Sequence, residues 1–144
     1  MRALTVKQPW ASLIVRGGKD IENRDWRTHQ RGIVAIHSSA KLEEREMQDA
    51  CGLMRGFIYK FSERLFRADR FPTGAILGTV ELVDCVSSSD SPWFVGDFGF
   101  VLRNPVAFPQ PIPCRGALLF WEVPGALMPE MRAQYKQAIQ AALS

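Results

Sequence analysis

The run Ala75-Ile76-Leu77-Gly78-Thr79-Val80-Glu81-Leu82-Val83-Asp84-Cys85-Val86 constrains this chain more than any other stretch. It is the strongest strand in the sequence, rich in β-branched and apolar residues and free of proline. Other segments read the same way. Arg2–Val6 is β-leaning, Ile21–Trp26 reads as a strand with Glu22, Arg24 and Trp26 on one face and Ile21, Asn23 and Asp25 on the other, and Gly32–Ser38 is apolar on both faces, hence central or covered. Phe98–Leu102 is a strand ended by Asn104-Pro105, with Val106–Phe108 as a possible extension. Ala117–Val123 is the last. Pro109, Pro111 and Pro113 form a stiff connector that could hardly sit in a central strand. Five or six strands with few helices predict an α+β, mainly β fold: a small, mostly antiparallel β-barrel with flanking helices.

Helical patterns are short. Pro9 suits a helix start, and Trp10, Leu13 and Ile14 follow at the spacing of one buried face. Gly17 and Gly18 end that helix and permit a left-handed cap. A charged helical region runs from Lys41 to about Phe66. Gly52 and Gly56 predict a break within it, and Phe57, Phe61 and Leu65 form an apolar stripe. A last helix begins at Pro129, with Met131, Tyr135, Ala138 and Ala142 on its buried face.

The 144 residues fit one domain, 1–144, with room for a hydrophobic core. No apolar run reaches the ~20 residues of a membrane helix. The N-terminus lacks a signal-peptide apolar region, so a cytoplasmic protein is expected, and a monomer. Net charge is +3, a mild bias toward polyanions. Cys51, Cys85 and Cys114 are odd in number and widely spaced, which argues against a disulfide framework or zinc site. His37 reads as a hydrogen-bonded, partly buried histidine. There is no phosphate-binding glycine loop, no dinucleotide fingerprint and no acidic pair typical of metal-dependent nucleases. Neither a cofactor nor a metal is expected.

The densest polar chemistry lies in Gly17-Gly18-Lys19-Asp20-Ile21-Glu22-Asn23-Arg24-Asp25-Trp26. On a strand, Glu22, Arg24 and Trp26 share a face. Lys19, Glu22 and Arg24 read either as a binding triad or as a solvated face with cross-strand pairs. An arginine fork grips phosphate or carboxylate, and lysine adds a mobile point charge. Lys7 and Lys41 are further cations for a ligand. Ser38, with Ser39 and Lys41, could line an anion-attracting helix start. Trp26 and Trp93 lie beside polar loops and are the candidate stacking platforms, whereas Trp10 and Trp121 read as core. Glu81 is the only carboxylate within Ala75–Val83. It either pairs with a cation such as Lys19 or Arg24, or sits on a solvated face.

Gly17 to Arg24 fits the G-x-K-x-x-E-x-R signature of ASCH domains. Lys7-Gln8-Pro9-Trp10-Ala11, Arg24-Asp25-Trp26, the Gly-x-Phe-x-Leu-x-Asn-Pro run and Arg115-Gly116 to Trp121 agree in order with it. The sequence therefore resembles that family over nearly its whole length. The resemblance implies a PUA-like barrel, and a cleft lined by the signature that holds RNA, single-stranded DNA or a modified nucleoside. It also implies an alternative, a small ribonuclease or amidohydrolase-like enzyme using Lys19 with Glu81 or Glu22. Amidohydrolase relatives place a threonine three residues after the lysine. Here that position is Glu22, which cannot serve as a hydroxyl nucleophile.

Overall fold

The computed structural model describes residues 1–58 and 70–144. Their six strands join in one sheet: β1 (Arg2–Val6), β2 (Ile21–Arg24), β3 (Gly32–Ser38), β4 (Ala75–Val86), β5 (Phe98–Pro113) and β6 (Phe120–Glu122). The spatial order is β2-β5-β4-β3-β1-β6. Only β1 and β3 run parallel; the other pairs are antiparallel. The long apolar strand lies centrally as β4, flanked by β3 and β5. The expected mainly β fold is what forms.

The sheet curls into a half-barrel because its two ends share a core. Phe100 of β5 stacks on Phe120 of β6 with ring centroids 6.0 Å apart, although three strands separate β5 from β6. Trp26 meets both rings edge-on, at 5.1 and 5.8 Å. Helix α1 (Trp10–Arg16) follows β1 and fills the concave side. Its Ala11, Ile14 and Val15 pack with Leu4, Val34, Ile36, Val80 and Leu82. The 3.6-residue spacing read from the sequence buries Leu13 and Ile14 as expected, while Trp10 stays half-buried at the edge.

Helix α2 (Glu44–Phe57) passes through Gly52 and Gly56 without the expected break. Each glycine costs about 1 kcal/mol relative to alanine, but Ala50 and Met54 anchor the opposite face in a core shared with Leu13, Ile21 and Trp93. Tertiary packing outweighs propensity here. Of the predicted stripe, Phe57 packs edge-on against Trp93 at 4.7 Å; Phe61 and Leu65 lie outside the described residues.

Strand β5 also departs from expectation, running unbroken through Asn104-Pro105 and the three later prolines. β2 covers only Phe98–Val101 of it. Farther on, β5 pairs with β4 alone among the described strands. Its other edge has no strand of theirs to bond, so prolines at alternate positions forfeit no ladder bond there. Helix α3 (Met128–Leu143) packs on this part of β5. Gln134 is buried and accepts the Gln110 backbone N–H at 2.9 Å. It takes the place on the buried face predicted for Tyr135, which is exposed along with Ala142. β6 is shorter than predicted, and residues 114–119 form a loop.

Candidate functional site

The glycine pair shapes the entry to the site. Gly17 caps α1, and a Cβ there would lie 2.8 Å from Leu13 Cδ2. Gly18 has φ +77°. The turn brings the Lys19 backbone N–H back onto the Leu13 carbonyl at 3.1 Å, and the chain then enters β2.

Alternation along β2 places Glu22 and Arg24 side by side. Lys19 is 3% exposed and Glu22 7%. Lys19 Nζ donates to the Ile21 carbonyl and, at 3.0 Å, to Glu22 Oε1. Arg24 grips Glu22 Oε2 through Nε at 3.1 Å and Nη2 at 3.0 Å. Burial, the largest single influence, pushes the Glu22 carboxyl up. The charges of Lys19 and then Arg24, with their hydrogen bonds, together outweigh it and hold the carboxyl below its ordinary value.

Arg24 also spans the half-barrel's open seam: its Nη2 donates to the Thr5 carbonyl of β1 at 2.9 Å. The neighbouring Val6 carbonyl accepts from Ser39, so by alternation the Thr5 carbonyl points to the opposite edge. There β6 begins only at Phe120, opposite Leu4. The arginine takes an acceptor that the sheet leaves unused.

A cavity of about 760 Å³ opens along this seam. Lys19, Glu22 and Arg24 form its floor. Trp10, Leu53, Val95, Leu118 and Leu119 supply apolar walls, and Lys7, Asp25, Glu46 and Asp49 stand around it. Lys19 Nζ lies 5.6 Å from the centre of the Trp10 ring, within cation–π reach. The Trp10 indole donates to Glu46 at 2.7 Å. Lys7 is held by Glu43 at 3.3 Å and Glu46 at 3.6 Å.

The signature's intervening residues position the rim. Asn23 donates to the Trp93 carbonyl at 2.9 Å and accepts from the Val95 N–H at 3.0 Å. Asp20 accepts from Ser91 at 2.6 Å. The opposite lip, Ala117–Leu119, is set by a buried network. Trp121 Nε1 donates to Thr5 Oγ1 at 3.0 Å, and that hydroxyl lies 3.1 Å from His37 Nδ1. His37 Nε2 lies 2.7 Å from the Cys114 carbonyl. A carbonyl can only accept, so Nε2 carries the proton and Nδ1 accepts from Thr5. Burial pushes the His37 pKa down, in keeping with a neutral ring. A Cβ on Gly116 would lie 2.6 Å from Thr5 Oγ1 and 2.7 Å from the His37 ring. Gly116→Ala is therefore expected to cost about 1–3 kcal/mol in denaturant unfolding. A cost within experimental error would show that the network yields freely.

The structure gathers Lys7, Lys19, Glu22 and Arg24 from the predicted residues and leaves others elsewhere. Trp26 does not share the cavity face. β2 ends at Arg24, so the alternation stops short of Trp26, which turns into the core. Trp93 is 4% exposed and packs against Phe57; it is core, not a stacking shelf. Trp10, expected in the core, packs against its edge and also lines the cavity. Ser38 is fully buried, and its hydroxyl donates to the Ala75 carbonyl at 3.1 Å. Lys41 is exposed, and α2 begins with its own acids, Glu44 and Glu46, which already complement the helix dipole. Glu81 accepts from Asn104 at 3.0 Å in a separate depression beside Tyr135 and Ile139 of α3. It pairs with neither Lys19 nor Arg24. Among the described residues no cluster of metal-ligating side chains forms, and no helix is long and apolar enough to cross a membrane.

The ASCH domain family model matches residues 4–94, a span that contains the whole floor of the cavity. The chain belongs to the ASCH domain family. It is similar to activating signal cointegrator 1 of Homo sapiens, 35% identical over 137 residues covering 83% of this chain. The Mus musculus protein of that name is 33% identical over 132 residues, again covering 83%. This chain spans only 22% of the length of either relative. The crystal structure of a point mutant of ZmASCH from Zymomonas mobilis shares the fold, with a TM-score of 0.51 at 11% identity over 92% of this chain and 96% of that one.

Proposed function

We propose that the seam cavity binds a nucleobase, carried by RNA, by single-stranded DNA or by a modified nucleoside. The observation that carries this reading is the floor. Two cations are held rigidly on one buried carboxylate, at the bottom of a cavity large enough for a small planar ligand. Glu22 fixes both cations in advance, so little side-chain freedom is lost on binding. Lys19 and Arg24 donate to a carbonyl oxygen at the ligand's deep edge. Trp10 and the leucine lip supply apolar contact to its faces.

The hydrolytic alternative fits less well. Glu81 lies in another depression, and Glu22 has both oxygens engaged by cations, which makes it a weak base.

Calorimetry at low salt against nucleosides and short single strands tests the reading. Arg24→Gln removes a charge-assisted donor, a loss of about 1.5–3 kcal/mol, and should weaken binding roughly ten- to hundredfold. Absence of binding by the unmodified protein to every probe would refute it.

A further inference from the structure

The charges around the cavity restrict what its ligand can carry. Three cations and four carboxylates line it. Two of the cations, Lys19 and Arg24, are at the floor and share Glu22. The third, Lys7, is bridged by Glu43 and Glu46. Asp25 and Asp49 are exposed at the mouth, and none of these three cations pairs with either. A heterocycle seated with its carbonyl edge on the floor directs any sugar outward. A phosphate on that sugar would then meet carboxylates where a phosphate site needs free donors. The mouth also carries exposed apolar side chains: Leu118 is 89% exposed, Leu119 59% and Val95 54%. Leu119 holds φ +58°, a conformation that a leucine side chain disfavours.

We propose that this cavity selects a ligand without phosphate, a nucleoside or free base, and that Asp49 and Asp25 reject the corresponding nucleotide. The leucine lip contacts the outer part of the heterocycle or its sugar, and the carboxylates set the specificity. The inference rests on the reading of the cavity as a nucleobase site and narrows its ligand class.

Paired calorimetric titrations test it, with cytidine, uridine, adenosine and guanosine each run beside its 5′-monophosphate. At least one nucleoside is expected to bind about tenfold or more tightly than its monophosphate, as like-charge contact predicts. Added salt should narrow that gap by screening the exposed carboxylates. The variant Asp25→Asn/Asp49→Asn should narrow it too. Monophosphates binding as tightly as nucleosides would overturn the inference while leaving the nucleobase reading intact. A gap that persists in the double variant would overturn the assignment to Asp25 and Asp49. Failure of every nucleoside and every monophosphate to bind would overturn the inference, and failure of single strands as well would overturn the nucleobase reading.

Discussion

Replacing Glu22 by alanine is expected to destabilise the fold by about 3–5 kcal/mol, the usual consequence of removing one partner from a buried ion pair. The reason is local. Lys19 is 3% exposed, and its amine donates to the Ile21 carbonyl and Glu22. Without the carboxylate, its charge stays in the interior with too few acceptors. Arg24 suffers less, because it is partly exposed and keeps the Thr5 carbonyl. Lys19→Met combined with Glu22→Leu should recover much of the loss, since well-packed apolar replacements often match a buried pair. Urea unfolding of the three proteins measures this. A cost below about 1 kcal/mol for Glu22→Ala, typical of an exposed pair, would contradict the buried geometry. The pH dependence has a definite sign. The folded Glu22 carboxyl titrates below its ordinary value of 4.5, so the unfolded chain binds the proton more readily. The stabilisation is complete above that ordinary value and fades as pH falls through the lower, folded one. Glu22→Gln should remove this part of the acid dependence.

How much of this was legible depends on whether the determining contacts were local. Lys19, Glu22 and Arg24 converge because a glycine turn and strand alternation act within eight residues, and both are written in the spacing. The fold was legible for the same reason, strand by strand. The tryptophans were not. Whether Trp26 continues the Glu22–Arg24 face depends on where β2 ends, and Phe100 and Phe120 decide that from distant strands. Trp10 fits a core helix by pattern, yet it lies where α1 meets the seam and is turned outward to Glu46. Glu81 stood out as a lone carboxylate in an apolar run, but alternation cannot say which side of a curled sheet is the cleft side. Glu46, Asp49, Leu118 and Leu119 reach the cavity only through tertiary folding. The prolines of β5 misled because the rule against proline in a central strand applies to each edge separately. Among the described strands, this one is central for four residues and has a neighbour on only one edge beyond them.

Gly78→Ala is the second substitution expected to have a large effect, and it tests the curvature on which the seam depends. Gly78 lies in β4 opposite Ala107. An added Cβ would sit 2.1 Å from the Val106 carbonyl oxygen and 3.2 Å from Ala107 Cα. The obstacle is backbone, so no rotamer change relieves it. The register between β4 and β5 shifts on both sides of this point, between Ile76 and Gly78 and between Thr79 and Glu81. Such irregularities bend a strand and sharpen its twist, and glycine permits the close approach that accompanies the bend. β5 needs that bend because one end carries β2 and the other runs beneath α3. A methyl at Gly78 would have to push β5 away from β4 along its longest pairing. The expected cost is at or beyond the upper end of the ~1–3 kcal/mol typical of overpacking, a large share of the ~5–15 kcal/mol by which domains are stable. Gly52→Ala in α2, where an added Cβ meets nothing within 4 Å, should instead be neutral or stabilising by up to about 1 kcal/mol. Thermal and urea unfolding should show a large loss of stability for Gly78→Ala and none for Gly52→Ala. A Gly78→Ala protein as stable as the parent would mean that β4 and β5 are not held at this separation, and the geometry of β2 and the cavity floor would lose its support.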